Sequence, residues 1–594
     1  MSEVILLSIY EGEALGPSVL KRALTQAGIT CEIITLPKKL AQQVFGSVNW
    51  SKEGKNKVIE SVMEEVKKNP HTKDAKFVGI SAYDSTNPSR PELMITRAIK
   101  TTFPSKITIG GGPAFYSNPR GFYSEGKFDY AIRGDGENSL PALIKSLTGR
   151  SQETLEEIPG IILRKKGKIL LSQPAKLTNE EIQNTKPIFG QEIKGRVKTF
   201  IERGCGKACI FCSVPRKGQP VAIKNELVIE SLKELAKNPA VKEVSFVDDQ
   251  LFFDRERTVK LFRTIIKEGL NKRFSFSGLA SVDSLIRKGE VDGKLIRLLK
   301  KANFVFLEIG VESLNDNILK EIKSGRYTAA QAVKVLDTLR DNKIYTRSFL
   351  IAGGIDTKPI DFVKGYYAAL SKETRGLFKK THPEFTDLVL LLAIKGTPVY
   401  ERALREGALY TTTGKKAGAI RDRTTSPRKV IPKDPLLREL FVKHLRQRKA
   451  HFDSEDLGEI IALSKKLAQT DPSARELTRK LLIIQSTTTG IMTHHTKISG
   501  LFAHEAMKKE MTKRGIPLTV ENLRTFYEKV RQTKELDKKL SLKGLAMANR
   551  YAKRARKIPP LIGVERLRAI QELRRKRGFG MTLPIPNRGR LIKK

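Results

Sequence analysis

At 594 residues the chain is too long for one ordinary hydrophobic core, so two or three domains are expected. Its four cysteines exclude a disulfide scaffold, and the lack of any apolar run of about 18 residues excludes a spanning helix. Against 64 Asp and Glu stand 110 Lys and Arg, a formal charge of +46. That balance favours a polyanionic partner, RNA or DNA or an anionic lipid surface, without choosing among them; a heavily solvated basic surface is the alternative.

The start, Met1–Ser2–Glu3–Val4, lacks the basic opening and cleavage site of a secretory signal. A cytoplasmic location is expected, with peripheral membrane attachment a further option. Val4–Ile9 reads as a strand, Leu15–Ala27 as a helix ending near Gly28, and Cys31–Leu36 as the next strand, with Cys31 a small buried hydrophobe. Ile59–Lys68 is helical, Phe77–Ser81 a strand, Pro91–Thr101 a helix and Ile107–Ile109 a strand. Apolar strands alternating with amphipathic helices indicate a doubly wound α/β domain over residues 1–150. Gly110–Gly111–Gly112–Pro113 follows a strand directly, and Phe128–Ile132 runs into Arg133–Gly134–Asp135–Gly136–Glu137. Glycines there admit close approach of a bound group, or simply make tight turns.

Residues 151–192 read as a linker, polar and irregular between Pro174 and Pro187. Val197–Glu202 is then a strand feeding a loop that holds Cys205, Cys209 and Cys212, three of the four cysteines. Thiolates are soft donors suited to iron. The spacing Cys-x3-Cys-x2-Cys fits three corners of a [4Fe–4S] cube, leaving one iron open to chelate S-adenosylmethionine (SAM). A three-cysteine zinc site is the alternative, but it wants a fourth nearby ligand.

Strands follow at Glu243–Phe246, Phe274–Ala280, Phe304–Ile309, Tyr345–Ile351 and Leu388–Ile394. Asp248, at the end of the second, is placed either to accept from a substrate amine or hydroxyl, to cap the next helix, or to bind a lysine. With the first strand these make a partial (β/α)6 barrel over residues 193–423, open on one side.

The cysteine run, with Phe211 just before its last thiol, resembles the radical SAM superfamily. The first domain resembles the cobalamin-binding-type, Rossmann-like domain that precedes the barrel in one branch of it. Gly79–Ile80–Ser81, Ile109–Pro113 and Asp129–Glu137 carry that second likeness. The resemblance implies a [4Fe–4S] cluster and SAM, and cobalamin held near Ser81, Gly111, Gly112 and Gly134. It further implies that Phe211 packs near adenine, that Glu312 and Ser313 meet SAM, and that Gly353 lies beside the adenine. Arg347 would pair with the methionine carboxylate, a role that suits a guanidinium, or else face the outer helices. The activity implied is methyl transfer or C–C bond formation at an unactivated carbon, fed by a reductant such as ferredoxin or flavodoxin. One departure is the missing Asp-x-His-x-x-Gly run; His71 is the only histidine before residue 382. A cobalamin-independent radical SAM enzyme is therefore the second reading. A third is an RNA- or membrane-binding protein with a structural cluster.

Residues 424–594 read as a basic helical domain without a known motif. Helices are expected at Leu436–Ala450, Ser454–Lys466, Ala474–Ile484 and Val520–Lys529. His494, His495 and His504 read as loop or capping residues. Residues 541–594 hold 16 Lys or Arg against 2 acids, around an amphipathic stretch Leu561–Leu573 suited to anionic lipid or to RNA phosphates.

Overall fold

The structure is a computed structural model. It describes residues 2–491 except 10–14, 47–51, 83–90, 191, 193, 194, 208, 215–217, 371–387, 419–427, 448, 450 and 453–455. The helix expected at Val520–Lys529, the stretch Leu561–Leu573, and His494, His495 and His504 lie outside the described residues.

The first sheet has seven strands, in the spatial order Cys31–Thr35, Val4–Ser8, Phe77–Ser81, Ile107–Gly111, Tyr130–Ile132, Ile161–Lys165, Lys168–Leu171. The first five run parallel and the last two antiparallel. Val4–Ser8 is buried along its whole length because helices cover both faces. Its side chains alternate between two cores. Val4 and Leu6 pack with Leu24, Leu140 and Leu143, whereas Ile5 and Leu7 pack with Val62, Leu93 and Phe122. Cys31 belongs to the former core, and burial pushes its thiol up to about 12.

The segment read as a linker contributes to this sheet. Ile161, Ile162 and Leu163 are buried, and the hairpin turns at Lys166 and Gly167, both with positive φ (46° and 78°), as a two-residue primed turn needs.

The second sheet also has seven strands: His451–Phe452, Leu388–Val389, Tyr345–Ile351, Phe304–Glu312, Ser275–Ser281, Glu243–Phe246, Arg196–Thr199. All are parallel except His451–Phe452, and the two edges do not pair with each other, so the barrel is partial. Val244, Phe246, Phe276, Leu307, Ile309 and Val311 face the outer helices in one large core. Phe246 and Phe276 stack at 5.7 Å, and Phe304 stacks on Phe276 at 6.0 Å. Each such side chain, fully buried, contributes roughly 1.5–3 kcal/mol.

Two expectations change here. The sixth strand, read as Leu388–Ile394, divides: Leu388–Val389 stays in the barrel, whereas Leu392–Ala393 pairs with Arg428–Val430, which also pairs with Leu409–Thr411. The described C-terminal helices Pro435–Arg446, Leu457–Leu467 and Pro472–Ile491 share the barrel core rather than forming their own. Their apolar stripes explain it; Phe441, for instance, meets Phe362 at 5.2 Å.

Candidate active site

The cysteine loop is built from its two ends. At its entrance, Asp248 Oδ1 accepts hydrogen bonds from the backbone N–H groups of Ile201 (2.7 Å) and Glu202 (2.6 Å). Arg257 adds bonds to the carbonyls of Ile201 (3.3 Å) and Ile223 (2.8 Å), and an ion pair with Glu202 at 3.5 Å. At its exit, Val221–Ala222 pairs with Glu202–Arg203, and Gly218 N–H donates to Cys205 O at 2.7 Å. Beneath it lies a small core in which Ile210 and Phe211 pack against Ile355, Val399 and Tyr400. Val399 N–H donates to Ile210 O at 3.1 Å, so the turn Lys395–Glu401 supports the cysteine loop.

The sequence leaves Asp248 three roles, substrate acceptor, helix cap or lysine partner; the structure bonds its carboxylate to the backbone of the cysteine loop. Asp248 is 1 % exposed, and its bonded oxygen is occupied by the loop backbone. Burial pushes its carboxyl up to about 7. Burial, and then the neighbouring Asp248, likewise raise Glu202 well above the usual carboxylate range. Asp248 is a positioning residue for the strand-to-loop bend.

Cys209 is buried and Cys205 and Cys212 are half-buried. Arg326 Nη2 lies 2.8 Å from Cys209 Sγ. Glu312 ends the fourth barrel strand with φ 58°, an uncommon backbone for a non-glycine residue. Its carboxylate lies 3.1 Å from Lys323 Nζ, which sits 5.8 Å from the Phe211 ring. Glu312, Phe211 and Cys209 are thus joined through Lys323 and Arg326 at one end of the barrel. Ser313 is buried beside them, its hydroxyl accepting from Asn315 N–H at 3.1 Å. A Cβ at Gly353 would sit 2.7 Å from Thr357 Oγ1, so that glycine serves packing against its own loop. Arg347 lies further from the strand ends, half-exposed, paired with its register partner Glu308 at 3.2 Å.

Lys323, Arg326, Asp283 and Lys207 escaped the sequence reading. The available signal was Ser324–Gly325 after a helix, both with positive φ (57° and 64°), a turn that folds the next residues back.

The cysteines fit an iron–sulfur cluster by donor chemistry. Among the described residues no three His, Cys, Asp or Glu side chains close around a single ion. The donors are instead three thiols along one loop, suited to separate irons of a cluster.

In the first domain, Ser81, Gly111 and Gly112 meet at the carboxyl ends of neighbouring strands. A Cβ at Gly112 (φ 94°) would lie 2.6 Å from Ser81 Oγ, and one at Gly134 (φ 107°) 2.1 Å from Ala175 O. Both glycines admit the chain itself. Gly111 alone has room, its nearest neighbour being Ile132 O at 3.8 Å. Beside them a cleft of about 760 Å³ opens between the domains, lined by Tyr116, Arg120, Arg133 and Lys176 on one side and Cys212 and Lys395 on the other. The Arg133 guanidinium lies 5.4 Å from the Tyr116 ring, and its buried Nε has no hydrogen-bond partner among the described residues. That orphaned donor and the basic lining fit a large ligand with polar, acceptor-bearing groups, as a corrinoid is. Arg203 ties the domains together through Asp135 (2.9 Å) and Glu137. His71 lies 3.3 Å from Ser2 Oγ and precedes strand Phe77–Ser81, so it lies at the amino end of the sheet, away from the cleft.

Residues 200–364 match the family described as the radical SAM superfamily. An uncharacterized methyltransferase of Pyrococcus horikoshii is 23 % identical over 363 residues, 58 % of this chain and 73 % of that protein. The hopanoid C-3 methylase of Methylococcus capsulatus is 25 % identical over 278 residues, 44 % of this chain and 50 % of that protein. Among solved structures, the radical SAM methyltransferase TsrM of Kitasatospora setae, with tryptophan and a SAM analog bound, gives a TM-score of 0.58 at 14 % identity. That match covers 77 % of this chain and 90 % of that one. OxsB, a cobalamin-dependent SAM radical enzyme solved with aqua-cobalamin and SAM, gives 0.58 at 13 % identity over 97 % of this chain and 84 % of that one. The chain carries a radical SAM domain, and its fold is that of the radical SAM branch with an N-terminal cobalamin-binding-type domain.

Proposed function

We propose that this protein is a radical SAM enzyme that holds a [4Fe–4S] cluster on Cys205, Cys209 and Cys212 and a corrinoid in the adjoining cleft. With the cluster and SAM bound, such a domain delivers one electron to the sulfonium, cleaves its C–S bond and releases methionine and a 5′-deoxyadenosyl radical that abstracts hydrogen from unactivated carbon. With a corrinoid bound, the cleft would supply a methyl group, or a partner for C–C bond formation, beside that radical. Glu312 would accept from the amino group of SAM in exchange for Lys323. Phe211 would cover the adenine, and Arg133 and Lys176 would bind polar groups of the corrinoid. Asp248 and the Lys395–Glu401 turn keep the thiols presented. Arg347, committed to Glu308, is proposed as a barrel-wall residue.

The observation that carries this reading is the cleft that runs from the basic residues of the first domain to Cys212 itself. It supports a reading in which two cofactor sites lie side by side. Among the described residues no helix is long and apolar enough to cross a membrane, and the +46 charge suits an RNA or anionic lipid as substrate or support. A low-potential reductant such as ferredoxin or flavodoxin is required. Protein reconstituted without oxygen, in the presence of hydroxocobalamin, should retain about one corrinoid after desalting and form 5′-deoxyadenosine from SAM under dithionite. A filled cluster with no retained corrinoid would favour the cobalamin-independent reading. Absence of 5′-deoxyadenosine would contradict both.

A further inference from the structure

Arg326 stands on the turn that follows helix Asp316–Lys323, and its guanidinium is fixed from both sides. Nη2 lies 2.8 Å from Cys209 Sγ. On the other side Asp283 Oδ2 lies 3.6 Å from Arg326 Nε and 2.7 Å from Nζ of Lys207, a residue of the cysteine loop. Asp283 is itself half-buried, its side chain 9 % exposed, and the Ser281 hydroxyl donates to its Oδ1 at 2.6 Å. Tyr327, next in sequence, anchors the segment by donating to the carbonyls of Gly310 (3.2 Å) and Val311 (2.8 Å). The guanidinium is thus held against one thiol by a carboxylate that is tied to the same loop.

We propose that Arg326 is a positioning residue that donates a charge-assisted hydrogen bond to Cys209 sulfur in the cluster-bound protein and makes the cluster easier to reduce; this rests on the cluster reading above. Reduction adds one electron from the external reductant, with no proton transferred and no bond broken. The added negative charge is shared with the ligating sulfurs. A fixed cation donating to one of them stabilises the reduced form more than the oxidised form, and does so most where water is excluded. Hydrogen bonds to sulfur are among the determinants of cluster potential. Cys209, the most buried of the three thiols, is where such a bond acts most strongly.

The test is a redox titration of reconstituted protein followed by electron paramagnetic resonance, with iron and sulfide counted in each sample. Arg326→Gln should carry a full cluster whose reduced-to-oxidised ratio at a fixed potential falls about tenfold, ~59 mV for a one-electron couple. Arg326→Lys, which keeps the charge but not the planar fork, should recover part of that shift. A residue with only a structural role would lower thermal stability and leave the midpoint unmoved, and that result overturns the inference. If Arg326→Gln does not retain iron, Arg326→Lys is titrated instead. A more negative midpoint supports the proposal and an unchanged one overturns it. Wild-type protein that holds no cluster would defeat the proposed function, a failure distinct from an unmoved midpoint.

Discussion

Two mainly parallel sheets present the carboxyl ends of their parallel strands toward one cleft, and they use them differently. In the first domain the conspicuous turns are filled by the chain's own atoms: Gly112 accommodates Ser81, and Gly134 accommodates Ala175. The cleft opens beside them, lined by Arg133, Tyr116, Arg120 and Lys176. In the barrel the conspicuous thiols are themselves the proposed ligands, and buried charges stiffen their loop: Asp248 and Arg257 at its entrance, Arg326 at Cys209 and Lys323 over the Phe211 ring. A glycine motif therefore reports backbone geometry, whereas a cysteine motif reports ligand chemistry.

The strongest way to break that contrast is on the barrel side. Cys209→Ala should reduce bound iron to background and abolish SAM cleavage, while circular dichroism shows the fold retained. Iron at the wild-type level with normal turnover would remove the cluster from the account.

On the cleft side, Arg133→Gln should weaken corrinoid retention about tenfold, about 1.4 kcal/mol, through loss of one charge-assisted bond. Iron content should stay at the wild-type level. Equal loss of iron and corrinoid would mean that the two sites are not separable.

The glycines sharpen the comparison in stability. Gly134→Ala forces a Cβ to within 2.1 Å of Ala175 O at φ 107°, and should cost about 2–4 kcal/mol in urea unfolding. Gly111→Ala, with open space, should stay within about 0.5 kcal/mol. Similar losses at both positions would refute the packing role assigned to Gly134.

Asp248→Ala should cost about 1–3 kcal/mol by stranding two buried N–H groups. The wild type should also show a pH signature. Burial pushes Asp248 up to about 7, whereas an unfolded aspartate titrates near 3.9. Between those values the folded protein holds a proton that the unfolded chain has released, so stability falls as pH rises from about 4 to about 7. Asp248→Asn keeps the acceptor oxygen and should flatten that slope. An unchanged slope in urea midpoints at pH 4.5, 6 and 7.5 would show that Asp248 is not the group responsible.

Apolar patterns in the sequence are enough to read both sheets, a continuous buried run in Val4–Ser8 and a mostly apolar one in Phe304–Glu312. The Ile161–Leu171 hairpin is harder to read, its turn being a short Lys–Gly among charged residues, and so is the division after Val389, where the chain leaves one sheet for another. The thiols are legible from spacing alone. Their supports are not, since Arg326 and Asp283 lie more than 70 residues downstream of Cys209 and meet it only through the fold. The role of Asp248 is not legible either, because a carboxylate at a strand end looks the same in sequence whether it faces substrate or the chain's own backbone.

The central claim is a cluster with one iron open to SAM. The most direct measurement is the electron paramagnetic resonance spectrum of reconstituted, dithionite-reduced protein before and after SAM is added. The account predicts a reduced-cluster signal whose shape changes on addition. A full-strength signal indifferent to SAM, or a colourless protein with stoichiometric zinc and no iron, would contradict it.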